Sequence, residues 1–257
     1  MKGIKGIAPL LAAIYILFFS LLILSGLINN TVLSDTAYYL AFLIPSALGI
    51  SLILLYGKSQ HGTVDKAKSD NKIPKPSLFV RGEDIPLMLS LVIPSVAVVF
   101  SVSVLTSLIL SRLGIENTAT LPESFAPTLL THALFPAIAE ELLFRYIPLT
   151  LFFRAGLDTR RTVALSAVLF ALSHMNPYQI PYALIAGIIL VLADIYFDSV
   201  LPSVIIHLTN NLTSLIMMYG YASVPFYVML SLMLLLSVSV FIYLYRSGKV
   251  RNRIKKQ

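Results

Sequence analysis

No charged side chain occurs between residues 7 and 27, between 37 and 56, or between 85 and 109. An apolar run of about 20 residues is long enough to cross the hydrocarbon core of a bilayer as an α-helix. Backbone groups cannot stay unpaired in that medium, so such runs must form helices or closed barrels. These runs lack the strict alternation of barrel strands, so they read as helices. Further candidate spans cover about 125–153, 162–175, 180–197, 201–218 and 224–245. The expected fold is all-α: a polytopic integral membrane helical bundle of about eight transmembrane helices. Span 125–153 is long and carries Pro136 and Pro148, which should interrupt it. Span 162–175 is short, and needs shielding or extension by its flanks.

Composition agrees. The 257 residues are 57% hydrophobic and 12% charged, against about 25% charged in soluble domains. An ordinary soluble enzyme, a disordered chain and a nucleic-acid-binding domain are excluded. There are no cysteines, so disulfides, thiolate nucleophiles and Cys-ligated metals are excluded as well. The net charge of +7 is read as topology. Lys2 and Lys5, the lysines and Arg81 of the 57–84 loop, Arg154, Arg160 and Arg161, and the basic tail from Arg246 all fall on one side of an eight-span chain. Arg112 alone lies in an alternate loop, and Arg145 lies within a span. Positive charge stays cytoplasmic, which puts both termini inside. The first span reads as a retained signal anchor. A prokaryotic plasma membrane is the expected location. The organisation divides into three spans with a basic cytoplasmic loop at 57–84 (residues 1–124), a polar-cored helical unit (125–220), and a last span with a basic tail (221–257).

Ionisable groups in hydrocarbon cost at least about 2.5–3.5 kcal/mol, so each needs a partner or a task. Those within the spans are His132, Glu140, Glu141, Arg145, His174, Asp194 and His207, with Asn211 as a further polar group; the first three spans have none. Glu141 and Arg145 stand at i,i+4, the spacing of an ion pair on one helix face. Glu140 has phenylalanine at the same spacing, and an unpaired carboxylate away from water suits a general base. A buried cluster that only fixes packing is the alternative. His207 and Asn211 also stand at i,i+4. Counted from Arg154, Arg161 and Asp198 respectively, Glu140, His174 and the His207/Asn211 pair reach similar depths, about 14–20 Å along their helices. His132 should point about 80° away from Glu140 on a regular helix and reads as a hydrogen-bonded helix residue. Asp194, close to Asp198, reads as a solvated helix end.

A carboxylate and an imidazole facing one space can hold and deprotonate a water. A second imidazole and an amide can donate to a developing oxyanion. These are parts for amide hydrolysis inside a membrane. The serine-hydrolase elbow G-x-S-x-G and the zinc-protease pattern H-E-x-x-H do not occur.

Glu140-Glu141-Leu142-Leu143-Phe144-Arg145 matches E-E-x-x-x-R, Phe170 to His174 matches F-x-x-x-H, and His207 to Asn211 matches H-x-x-x-N. In that order on successive spans, they resemble the CPBP family of intramembrane proteases, the type II CAAX prenyl endopeptidases and their bacteriocin-processing relatives. The resemblance covers about residues 125–215. It implies a glutamate-dependent endopeptidase in which Glu140 activates water, His174 helps to hold it, and His207 with Asn211 forms the oxyanion site. Glu141 and Arg145 would orient Glu140, and Phe170 would wall the pocket. No cofactor is expected. The family is often labelled metalloprotease, and Glu140, His174 and His207 are the alternative zinc ligands. The implied partners are the bilayer and a peptide or protein substrate, prenylated or membrane-associated, with no nucleic acid. The competing readings are a non-catalytic scaffold or bacteriocin-immunity-type protein of the same family, and a proton-coupled transporter using the Glu/His set as a relay.

Overall fold

The computed structural model describes residues 2–28, 31–59, 77–115 and 125–219, together with Leu235 and Ser239. Nine α-helical pieces are described: α1 (Lys2–Leu27), α2 (Thr31–Ser59), α3 (Ile85–Arg112), α4 (Phe125–Thr128), α5 (Phe135–Glu141), α6 (Ile147–Arg154), α7 (Thr159–Ser173), α8 (Ile180–Phe197) and α9 (Leu201–Met218). No β-strand occurs among the described residues; a single bridge pairs Ser77 with Ser199. The protein is an all-α membrane bundle. Five described helices are long and apolar enough to cross a membrane, namely α1, α2, α3, α8 and α9. The expected span at 224–245, apart from Leu235 and Ser239, the basic tail and residues 60–76 of the basic loop lie outside the described residues.

The fourth expected span differs from its reading. Its two prolines do not break it. Residues 125–154 form one continuous helical run in which π-helical segments, Leu129–Leu134 and Leu142–Tyr146, separate α4, α5 and α6. Each π segment ends one residue before a proline-bearing α-helical turn: Pro136 is the second residue of α5 and Pro148 the second of α6. The wider register is explicit. Phe135 N–H donates to Leu130 O and Ile147 N–H to Leu142 O, five residues back. A proline has no N–H to give, so Pro148 leaves the carbonyls four and five residues before it, Phe144 and Leu143, without that donor. Side chains from other helices supply it. Tyr15 Oη of α1 donates to Leu143 O at 2.9 Å, and Ser166 Oγ of α7 donates to Phe144 O. The prolines thus widen the helix, and the freed carbonyls bind it to its neighbours.

The main apolar core gathers around this run. Phe18, Phe42, Phe144, Ile147 and Phe170 belong to it. Phe18 meets Phe42 and Phe144 edge to face at 5.0 and 5.3 Å, contacts worth about 0.5–1.5 kcal/mol each. In lipid such packing, not escape from water, drives association. The outward apolar residues, among them Leu27, Leu54, Leu55 and Leu105, are exposed, as a lipid-facing surface requires.

Helix α6 ends at Gly156, whose positive φ of 83° suits glycine. Leu157 N–H donates back to Phe152 O, and Asp158 caps α7 by accepting Arg161 N–H at 2.8 Å. This tight turn starts the 15-residue α7 at the level where α6 stops. The short helix therefore ends, about 22 Å on, at the level of Glu140. Helices α7 and α8 pack closely at Gly187, where a Cβ would lie 2.9 Å from Ala167 Cα.

The hydroxyl donors yield a test. Tyr15→Phe should cost about 1–3 kcal/mol by leaving a buried carbonyl unpaired. In a Pro148→Ala background the new N–H can serve that carbonyl, and the same change should cost markedly less. Unfolding midpoints of the four proteins in one detergent measure the coupling; equal losses in both backgrounds would show that Tyr15 does not substitute for the missing donor.

Candidate active site

Glu140 and Glu141 close α5, between the two π segments, and their side chains part. Glu141 is fully buried. His207 Nδ1–H of α9 donates to its Oε1 at 2.6 Å, and Arg145 Nε lies 3.1 Å from its Oε2. The expected Glu141–Arg145 pair is therefore present, and sequence reasoning missed its third member, His207. No sequence spacing relates Glu141 to His207, 66 residues away. The Arg145 guanidinium also lies over the Phe170 ring, 3.9 Å from its centroid, a cation–π contact worth about 2 kcal/mol when desolvated.

Phe170 does more than wall a pocket. Its ring meets His174 edge-on at 4.9 Å and His207 at 5.6 Å, while Arg145 covers it. It separates the two imidazoles and holds both. His174 Nδ1 lies 3.0 Å from Phe170 O, one turn back on α7. A carbonyl only accepts, so Nδ1 carries the proton and Nε2 is left with its lone pair. On His207 the carboxylate likewise holds Nδ1–H and leaves Nε2 as the nitrogen available to the cavity.

Glu140 is 8% exposed. Among the described residues its Oε2 is buried with no hydrogen-bond partner. His174, Tyr38 of α2 and Tyr182 of α8 all lie within electrostatic range of it. Glu140, His174, His207 and Asn211 line one cavity of about 900 Å³. Phe170 lines it too, whereas Glu141 and Arg145 stand behind the wall. The four residues expected to carry chemistry are thus brought to one space, and the two expected to orient them lie one layer deeper. Asn210, Tyr38 and Tyr182 line the cavity as well; the tyrosines belong to helices without a motif, and no sequence signal marks them.

Two expectations need correction. His132 is hydrogen-bonded, its Nδ1 2.8 Å from Thr131 Oγ1, but it also lines the cavity with Glu140. The 80° separation assumed a regular helix, and a π segment intervenes. Asp194 is not a solvated end. It is 1% exposed, and its Oδ1 accepts Ser203 N–H at 3.1 Å. The chain turns at Asp198, which has a φ of +52°, and folds the start of α9 back over the end of α8. Asp194 thereby caps the helix that carries His207, one turn before it.

The zinc alternative fits poorly. Among the described residues no three His, Asp or Glu side chains gather closely enough to hold a metal ion. Both Nδ1 atoms are committed, one to a carbonyl and one to Glu141, so each ring offers only Nε2 to a further partner, metal or water.

A family model described as Type II CAAX prenyl endopeptidase Rce1-like matches residues 122–213. The match covers all three motifs and stops two residues past Asn211. No curated protein and no solved structure matches the chain.

The adjacent glutamates should behave oppositely. Glu141→Gln strands Arg145 in the interior, a loss of about 3–5 kcal/mol by comparison with other broken buried pairs. Glu140→Gln removes a charge that has no hydrogen-bond partner at Oε2, and should leave the unfolding midpoint unchanged or higher. Thermal unfolding of both variants in one detergent tests this; equal destabilisation would refute the division.

Proposed function

We propose that this chain, which belongs to the CPBP family of intramembrane proteases through its Rce1-like segment at residues 122–213, is an endopeptidase that hydrolyses a peptide bond with water activated by Glu140. One observation carries the reading: a buried carboxylate with an unpartnered oxygen shares a cavity with His174, whose ring has its Nδ1 already committed. Glu140 Oε2 and His174 Nε2 are two acceptors that can hold one water between them. Glu140 takes a proton as the water oxygen attacks the carbonyl carbon. The carbonyl π electrons move to oxygen, and the oxyanion is met by the Asn211 amide and by His207 Nε2, an N–H donor when that ring is protonated. Glu141 supports this state of His207, because its carboxylate accepts from Nδ1. As the tetrahedral carbon collapses, the C–N bond breaks and the proton held by Glu140 passes to the leaving amine. The products are a carboxylic acid and an amine, which exchange the remaining proton to leave as carboxylate and ammonium, and Glu140 is restored.

Phe170 and Arg145 act one step back. The ring keeps His174 and His207 at fixed angles, and the guanidinium holds both the ring and Glu141. The same cavity would have little need of an oxyanion pair if the protein were only a scaffold, or of a committed His174 tautomer if it were a proton relay. The substrate is a peptide or protein. Prenylation of that substrate is an expectation of the family resemblance, and the assay includes it as one arm.

Quenched peptides, farnesylated and unmodified, are incubated with the purified protein in detergent. Glu140→Ala should lower kcat by about 10²–10⁴-fold, the contribution of a general base. Asn211→Ala should lower kcat by about 10²–10³-fold with KM little changed, as for loss of one oxyanion donor. Activity of Glu140→Ala equal to the parent would end the reading. Hydrolysis should persist in a strong chelator; its loss, with recovery on adding Zn²⁺, would reassign Glu140, His174 and His207 to a metal.

A further inference from the structure

The residues lining the catalytic cavity all come from one end, or the middle, of their helices. On α1 they lie at 22–27 and on α2 at 35–42; α3 contributes Val99, near its middle. The 125–154 run contributes 131–140, and α7 contributes only 170–173, its last turn. On α8 they lie at 182–190, the half after its start, and on α9 from Ile206 onward. The opposite helix ends contribute none among the described residues. That end is closed by the chain itself. Ser77 N–H donates to Asp198 O at 2.8 Å and Val200 N–H to Ser77 O at 3.0 Å, which laces the segment before α3 onto the α8–α9 turn. Arg154 donates to Ile53 O at 3.0 Å and ties α6 to α2. At the other end the rim residues Leu27, Asp35, His132, Met175 and Met218 are exposed.

The basic residues divide the same way. Arg81, Arg154, Arg160 and Arg161 lie at the closed end, beside the acids Glu83, Asp84, Asp158 and Asp198, and the sequence also puts Lys2, Lys5 and Lys58 there. At the open end Arg112 is the one Lys or Arg among the described residues. Basic residues beside membrane helices mark the cytoplasmic side. Retaining Lys and Arg inside is a property of the whole chain, whereas the direction in which the cavity faces is a property of the packed helices, so the two observations are independent.

We infer that the catalytic cavity opens to the extracytoplasmic face of the membrane and takes its substrate there, as a segment of an exported or membrane-inserted polypeptide. The inference rests on the hydrolytic reading above. Charge in the cavity narrows the substrate further. The lining residues include Asp35 and Glu140 but no Lys or Arg, and Arg145 is sealed behind Phe170. There is no fixed cation among the described lining residues to hold a terminal carboxylate. The cavity therefore suits an internal peptide segment with neutral or basic residues beside the scissile bond. A lipidated C-terminus made in the cytoplasm would meet the closed, basic end.

The absence of cysteine from the sequence makes the direction measurable. Single cysteines are placed in the full chain at Leu27, on the rim, and at Thr159, exposed at the closed end. Spheroplasts of an expression host are treated with a membrane-impermeant maleimide before and after permeabilisation. Leu27→Cys should be labelled at once, and Thr159→Cys only after permeabilisation. Met218→Cys is a second rim variant should Leu27→Cys fail to accumulate. The reverse pattern, Thr159→Cys labelled first, overturns the inference and leaves hydrolysis in detergent untouched. Detergent activity that does not depend on Glu140 would overturn the hydrolytic reading and leave the labelling pattern as it is. The two failures are therefore distinguishable.

Discussion

Glu141 is the fixed point of this site. A carboxylate with no solvent exposure is expensive to bury, several kcal/mol per ion after relaxation. It is tolerated because two cation-capable groups reach it, Arg145 at 3.1 Å and His207 at 2.6 Å. Those groups come from different elements, the second π segment and α9. Arg145 in turn lies on Phe170 of α7. One buried anion thus sets the relative positions of three segments, and with them both imidazoles of the cavity. Such a pair adds little net stability compared with an apolar replacement. Its effect is positional: each partner is unfavourable anywhere but here.

The two π segments place Glu140 where this anchor can be of use. They bracket α5, a seven-residue piece that ends in the two glutamates. Regular helix through both prolines would leave several carbonyls unpaired in a medium without water. The wider register shifts that deficit, and Tyr15 and Ser166 meet part of it from α1 and α7. π-bulges recur at functional sites because they re-aim side chains without ending a helix. In this chain the second of them carries Arg145, and the first restores His132 to the side of the cavity.

Much of the site was legible in the sequence. The distances from the turns at Arg154, Arg161 and Asp198 bring Glu140, His174, His207 and Asn211 to similar depths, and the structure gathers these four around one cavity. Helix periodicity also predicts the Glu141–Arg145 pair. What spacing cannot report is contact between distant segments. The Glu141–His207 bond joins residues with no local relation. Asp194 looked solvated because four residues separate it from Asp198 on a helix end. Only the turn that lays α9 back over α8 buries it beneath Ser203. His132 was misplaced for a different reason: the angular count assumed about 3.6 residues per turn through a stretch that proline had widened. In a sequence proline reads as a break, although its consequence in a buried helix depends on whether a neighbour can supply the missing donor.

Formal charge explains why the two adjacent acids can coexist. With both glutamates ionised, Arg145 supplies one of the two positive charges that neutrality requires. The second can reside on either imidazole, His207 against Glu141 or His174 beside Glu140. On the proposed mechanism it stands on His207. That proton provides the oxyanion donor before attack, while Glu140 receives the proton that water gives up. The charge lost at Glu140 reappears on the oxyanion, so the site and its substrate together react without changing their total charge. That is an advantage within a bilayer, where every uncompensated charge carries a desolvation cost. The second glutamate and the arginine add no net charge to the site as an ion pair, and Glu141 holds the Nδ1 of the His207 ring that faces the cavity. That gives a physical reason for a Glu-Glu pair that packing alone would not require.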